Sequence, residues 1–404
     1  MRFAAAPEYQ VFPTGGRALK PYEAAVKASA PTLELIRSVD PELVVADILT
    51  VAAALAAELD GRTWVTLVPH VLPTGERGFP AYAVGAVHPR TAAGRGMWGL
   101  LRPLMMKGEE QGRRELNETR RRVGLPPLDH VQGGISRRLA LVATFPQLEY
   151  PRVHPQPGAR ITGPLLWEQP YRDVEPPPGD DPLVLVAPST SQDREGRLLR
   201  AALEGLAGEP VRLLASTNRR SGGDGTTGAG TGPNAGAGLG HGAAGAGAGP
   251  GAGAGAGHRD APPLLVPANA QLVDWLSYAR TMPHCAAVVC HAGHGTIARA
   301  LASGVPVVAC PHAGDMAENA ARVRWAGVGV SLPRRFTTPG GVRLAVRRLL
   351  SDPAYARRAQ EIREWSERND GAAAAADALE RLTRSSSSPR RKAPRGGFEP
   401  PRTD

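Results

Sequence analysis

The sequence predicts an α/β protein built on two doubly wound parallel sheets, and three observations lead there. Short apolar, strand-like runs alternate with helix-like stretches along most of the chain. A linker rich in Pro and acid, DVEPPPGDDP (Asp173 to Pro182), interrupts the alternation, which then restarts. Between Val288 and Val323 an apolar strand runs into a Gly-rich turn and a helix. There the free N–H groups and the positive end of the helix dipole converge on one point. With 404 residues the chain is long enough for two cores.

Residues 1–20 read as an irregular loop. Pro21 to Val39 is a helix interrupted near Pro31, followed by a buried strand ending at Asp47, an Ala-rich helix (Thr50 to Leu59) and a strand (Thr63 to Pro69). A unit of this kind usually opens with a strand and a ligand-facing loop, and none precedes Pro21, so the first unit is expected to be shortened at its N-terminus. Residues 70–97 form a long Pro/Gly loop of the sort that shapes a cleft. Trp98 to Val123 is one or two amphipathic helices with a solvated charged face, and at most a weak membrane-surface contact. Leu139 to Tyr150 is a strand with its turn.

After the linker come a strand opening LVLVAPSTSQD (Leu183 to Asp193), a helix (Glu195 to Leu206) and a strand (Val211 to Thr217). The Gly/Ala stretch that follows cannot bury enough apolar surface to offset its ordering entropy, so disorder is expected. Pro263 to Pro267 is assigned the next strand. The central stretch supplies a strand (Ala286 to Cys290), the turn from His291 to Gly295, a helix (Thr296 to Ser303) and a strand (Val305 to Ala309). GVGVSL is the last strand, and three helices follow: Thr338 to Leu350, Pro353 to Asn369, and Ala372 to Leu382.

Composition excludes several function classes. The net charge of +10 owes much to the tail, where Arg384, Arg390, Arg391, Lys392, Arg395 and Arg402 face only Glu399 and Asp404. No basic patch with stacking aromatics occurs, so nucleic acid is not expected as a partner. The three cysteines, Cys285, Cys290 and Cys310, have neither disulfide nor zinc spacing. No run of eighteen apolar residues exists and the N-terminus is unlike a secretory signal, so the expected location is cytoplasmic.

In the central stretch, HAGHGT (His291 to Thr296), ALASGVP (Ala300 to Pro306), PHAGDM (Pro311 to Met316) and ENAARV (Glu318 to Val323) follow one another at fixed spacing. Together they resemble the donor-binding signature of the GT-B glycosyltransferases, in particular the UDP-glycosyltransferase-like group with plant, macrolide and antibiotic members. HAGH alone also fits the HxGH signature of nucleotidyl-transferring enzymes, but its place late in the second unit argues against that.

The resemblance implies a GT-B fold: two Rossmann-like domains facing across a cleft, the first incomplete. Its boundaries are 1–172 for the acceptor domain, 173–182 for the linker and 183–383 for the nucleotide-sugar domain. Residues 218–261 would form a disordered insert and 384–404 a disordered tail. His291 would contact a donor phosphate, and the turn Gly293, His294, Gly295, Thr296 would cradle the diphosphate. Ser189 and Thr190 would reach the phosphates, and the segment from Val266 to Leu276 would hold the base. Asp315 would hold sugar hydroxyls. Met316 stands where the family has Gln, which leaves the donor sugar open.

Asp47, within VVADIL (Val44 to Leu49), would by the resemblance be the aspartate of a catalytic His–Asp dyad, the alternative being a helix-capping Asp. The dyad histidine belongs to the loop after the family's first strand, so the base is expected to be absent, with His70 as a stand-in. The implied activity is inverting, metal-independent transfer of a sugar from a UDP- or TDP-sugar to a small hydrophobic acceptor. No cofactor is expected, and a homodimer stays open. The alternatives are a non-catalytic GT-B auxiliary protein and a sugar-nucleotide epimerase, the latter disfavoured because only Asp315 and Glu318 offer carboxylates.

Overall fold

The structure is a computed structural model and describes residues 23–169, 171, 173–189, 196–218, 264–312 and 315–386. The loop expected at 1–20, Thr190, most of the Gly/Ala insert and residues 387–404 of the tail lie outside the described residues.

The first half opens with α1 (Glu23–Val39), β1 (Leu43–Asp47), α2 (Val51–Leu59) and β2 (Thr63–Val68). After the long loop come α3 (Ala92–Arg122), β3 (Ala140–Val142) and β4 (Ala159–Ile161). The four strands pair in sequential order, all parallel. α1 runs without a break through Pro31, against the expected interruption. The burial of Ala24, Ala25, Ala28, Leu33 and Ile36 outweighs the backbone bond that Pro31 cannot donate. α3 begins six residues before Trp98 and is one helix through Pro103. Its start is capped by Thr91, whose side chain accepts from the Gly94 N–H at 3.1 Å. β4 is a short edge strand that the sequence pattern gives no sign of.

The second half holds β5 (Leu183–Ala187), α4 (Arg197–Gly205), β6 (Arg212–Ser216), β7 (Ala270–Val273), α5 (Tyr278–Thr281), β8 (Ala287–Cys290), α6 (His294–Ala302), β9 (Val307–Ala309), α7 (Met316–Ala326) and β10 (Gly329–Ser331). The sheet order is β10-β9-β8-β5-β6-β7, all parallel. Both faces are buried, which is why the strands read as unbroken apolar runs. Leu185, Leu214 and Val288 line one core, and Val184, Val186, Leu213 and Val289 line the other.

The strand expected at Pro263 to Pro267 lies instead at Ala270–Val273. Pro267 cannot donate to a ladder; its carbonyl accepts from the Ala270 N–H in a turn (2.9 Å). Asn269 fixes that turn by donating to the Leu206 and Val211 carbonyls, both at 3.0 Å.

Helices α8 (Pro339–Ser351), α9 (Pro353–Arg368) and α10 (Gly371–Ser386) close the chain. α10, expected with the second unit and ending at Leu382, returns to the first. Its Ala375 and Ala378 pack on Val65 and Leu141, and the helix continues to Ser386, so the tail begins later than expected. The return is tight. A Cβ on Gly371 would lie 2.5 Å from the Pro164 carbonyl oxygen, and Gly163, at φ +100°, has the Gly371 Cα 3.2 Å from where its own Cβ would be.

α7 ties the halves together. Arg322 is buried; its Nε donates to Glu318 (2.7 Å) and its Nη1 to the Leu148 carbonyl (3.0 Å), with Glu149 at 3.4 Å. Its guanidinium lies 3.4 Å over the Tyr150 ring. Glu149 in turn accepts from the Leu72 N–H (2.6 Å), and Glu318 from the Ala83 N–H (3.3 Å).

Candidate functional site

The C-terminal ends of the strands in both sheets open onto the seam between the halves, which is where an open parallel sheet presents ligand-binding loops. After β8 the chain turns at Ala292, whose φ is +64°. Ala292, not a glycine, makes this turn, and it brings the helix forward: α6 begins at His294, two residues earlier than Thr296. Its N-cap is Gly293, which has no side chain to satisfy the first-turn N–H groups. A Cβ built on Gly293 or Gly295 would meet no protein atom within 4 Å, and neither has a positive φ. Packing and backbone strain therefore do not demand these glycines. Their effect is to bare the backbone donors of a helix N-terminus.

His291 stands beside this terminus, buried. The Ser189 N–H donates to its Nδ1 at 2.8 Å, so in the neutral ring the proton sits on Nε2, which becomes a directed donor. His312 lies edge-on to it, with ring centroids 5.9 Å apart. Asp315 sits at the start of α7, and its carboxylate accepts from Asn319 Nδ2 (3.2 Å). The same Nδ2 donates to the Ala292 carbonyl (3.0 Å), linking the Asp315 loop to the His291 turn. Met316 is the first residue of α7 and packs on the core beneath.

His294 differs from its turn neighbours. Its Nε2 lies 3.3 Å from the Ala143 carbonyl, so the ring bridges to the first half. Burial, with the charge of His70 beside it, pulls its pKa down to about 4, and the ring is neutral at ordinary pH. It also meets the Asn319 side chain, while the Tyr82 and Thr144 hydroxyls are buried with no hydrogen-bond partner among the described residues. Such orphaned polar atoms are rare away from functional clefts. Burial, then the negative charges of Asp315 and Glu318, push the Tyr82 hydroxyl well above its usual pKa.

On the facing side, Asp47 ends β1. Its Oδ1 accepts from the Leu49 N–H (2.8 Å) in a tight turn ahead of α2, whose N-cap position is Thr50, so Asp47 does not cap that helix. Burial raises its carboxyl pKa, opposed by the Leu49 N–H and by the charge of His70. His70 follows β2. Its Nδ1 lies 2.8 Å from the Val71 carbonyl, an acceptor only, so Nδ1 carries the proton and Nε2 is the basic nitrogen. The Tyr82 ring is 6.4 Å from the His70 ring.

The structure thus brings Ser189, His291, Gly293, Gly295 and Asp315 into one group, with Asp47 and His70 across the seam close enough for the charge of one to act on the other but not joined in an ion pair. Val266 is 44% exposed in the stretch before β7, and among the described contacts nothing links it to that group. Tyr82, Asn319 and His312 were not singled out from the sequence. Asn319 lies inside the ENAARV run and Tyr82 inside the cleft-shaping loop, and neither position marks its residue as facing a ligand.

Comparison with known proteins gives a consistent pattern. Residues 257–380 match the family of erythromycin biosynthesis protein CIII-like C-terminal domains. A 4'-demethylrebeccamycin synthase of Lentzea aerocolonigenes is 30% identical over 279 residues, covering 67% of this chain and 56% of that protein. Aklavinone 7-beta-L-rhodosaminyltransferase of Streptomyces galilaeus is 37% identical over 118 residues, 29% of this chain and 27% of its own. The chain therefore spans about half the length of the first relative and about a quarter of the second. The crystal structure of CalG4, the calicheamicin glycosyltransferase, superposes with a TM-score of 0.60 at 22% identity, over 94% of this chain and 85% of that one.

Proposed function

We propose that this chain, which belongs to the UDP-glycosyltransferase-like family of GT-B fold proteins, transfers a sugar from a nucleoside diphosphate donor to a hydroxyl of a small hydrophobic acceptor. One observation carries the reading: an uncapped helix N-terminus, stripped of side chains at Gly293 and Gly295, beside a histidine whose ring proton is directed outward by Ser189.

In this reading the first-turn N–H groups of α6 and the Nε2–H of His291 take up the charge that develops on the leaving diphosphate, a preorganised electrostatic role. The Asp315 carboxylate, held by Asn319, accepts hydrogen bonds from sugar hydroxyls. His70 Nε2 takes the proton of the acceptor hydroxyl. The acceptor oxygen bonds to the anomeric carbon from the face opposite the breaking carbon–phosphate-oxygen bond, which inverts the configuration. Asp47 steadies the resulting imidazolium by its charge. No metal is needed for these steps.

Calorimetric titration with UDP and dTDP tests the donor site, and the full chain is expected to bind one of them in the micromolar range. His291→Ala should weaken that binding about tenfold, the worth of one charge-assisted hydrogen bond. His70→Ala should leave it unchanged while lowering sugar transfer by about 10²-fold or more. Binding of neither diphosphate would sink the proposal.

A further inference from the structure

The first half of α3 has a composition that neither the fold nor the proposed reaction uses. Met97, Leu100, Leu101 and Leu104 recur at i, i+3, i+4 and i+7 and form one stripe. All four are exposed, Leu100 at 81% and Leu104 at 59%. The side turned to the protein is the flank that carries Trp98, Arg102 and Met105, all half-buried, with the Arg77 side chain beside Gly99, while Met106 further round is 53% exposed. A soluble helix normally buries such a stripe, so its outward orientation marks a surface for something apolar.

The charge around the stripe narrows what that something is. From Arg77 to Gly108 there is no carboxylate, and with Arg102 taken up by its ion pair to Glu109 the remaining cations there are Arg77, Arg90, Arg95 and Lys107. The bounding acids are engaged: Glu76 accepts from the Val153 and His154 N–H groups (both 2.9 Å), and Glu109 pairs with Arg102 (2.5 Å). A second copy docked through this stripe would set like charges against like. An anionic bilayer satisfies both the stripe and its rim. Among the described residues no helix is long and apolar enough to cross a membrane, so the contact is with the surface. Gly94, Gly96, Gly99 and Pro103 make the segment a poor helix former in water, and burial of its apolar face at an interface offsets that weakness. The second half of α3 is the contrast. It mixes both charge signs and buries Leu116, Asn117 and Arg120 against the first unit.

We propose that residues 92–107 of α3 lie in the plane of an anionic lipid surface, with the Met97–Leu100–Leu101–Leu104 stripe among the acyl chains and the flanking Arg and Lys at the headgroups. The inference stands on α3 alone and is independent of the donor site. It would bring the mouth of the 70–91 loop, which feeds directly into α3, close to the lipid phase.

Cosedimentation of the full chain with phosphatidylcholine vesicles containing about one quarter phosphatidylglycerol tests it. Binding should fall about tenfold or more on pure phosphatidylcholine and in about 0.5 M salt. Leu100→Asp/Leu104→Asp should lose about tenfold in vesicle binding with an unchanged melting temperature, since both side chains are exposed. Leu344→Asp, an equally exposed change in the second half, should bind as the parent does. Absence of binding to the anionic vesicles, or equal binding by the double variant, would overturn the proposal. So would a stripe-dependent dimer in light scattering that ignores vesicles.

Discussion

The two sheets of this molecule use the same kind of strand and are buried to different depths. In the second, β5 is buried at every position and two separate cores lie on its two faces. In the first, the core is divided among four small clusters, and the outer strands leave Val45 and Ile161 each 43% exposed. The first sheet is completed from outside, by α10 returning to cover Val65 and Leu141 and by α7 locking onto Glu149 and Tyr150. The second sheet thus carries a core on each face, one of them extended by Val71, Phe145 and Leu148 of the first half. The facing side is held in shape by residues that belong, in sequence, to its partner.

Severing that tie is the strongest way to break the contrast. Arg322→Leu leaves Glu318 buried without its cation and Glu149 with Arg152 alone, and should cost about 4 kcal/mol, since removing one partner of a buried ion group leaves uncompensated charge. Urea titration reads it, and a loss under about 1 kcal/mol would mean the tie carries nothing. His294 tests the seam from the other side. Its folded-state pKa of about 4 lies below the ordinary histidine value near 6.5, so the fold favours the neutral ring. The stability it confers is complete above pH 6.5 and is lost as pH falls toward 4, about 3 kcal/mol over that window. Melting temperatures from pH 7.5 to 4.5 should therefore drop less steeply for His294→Gln than for the parent. Finer still is a matched pair of core truncations. Leu185→Ala, in the doubly buried sheet, should cost about 1 kcal/mol more than Leu55→Ala, whose small cluster can collapse around the gap. Equal losses would remove the distinction between the two cores.

The same contrast governs what the sequence made legible. Strands β5, β6, β8, β9 and β10 were readable because burial on both faces leaves continuous apolar runs. β4 was not, because Ala159–Ile161 is a three-residue edge strand with little buried surface to leave a pattern. β7 was misplaced toward Pro263 because the apolar PLLVP run looks like a strand, while the turn set by Asn269 is visible only in three dimensions. In the site, the HAGHGT turn was legible as a helix N-terminus, but its pivot was not. Ala292 adopts a left-handed backbone that nothing about an alanine announces. Tyr82 escaped because its neighbours include residues of both halves, and Asn319 and His312 because the turns that bring them to Ala292 and His291 are visible only in three dimensions.

The meeting of Gly163 with Gly371 carries one more consequence. The chain leaves the first half just beyond Gly163 and comes back to it at Gly371, so outgoing and returning backbones cross within touching distance. Backbones this close leave no room for a Cβ at either position. Any side chain larger than hydrogen at either glycine would wedge the two passing segments apart and so disturb the seating of α10 on the first sheet without touching a residue of the site.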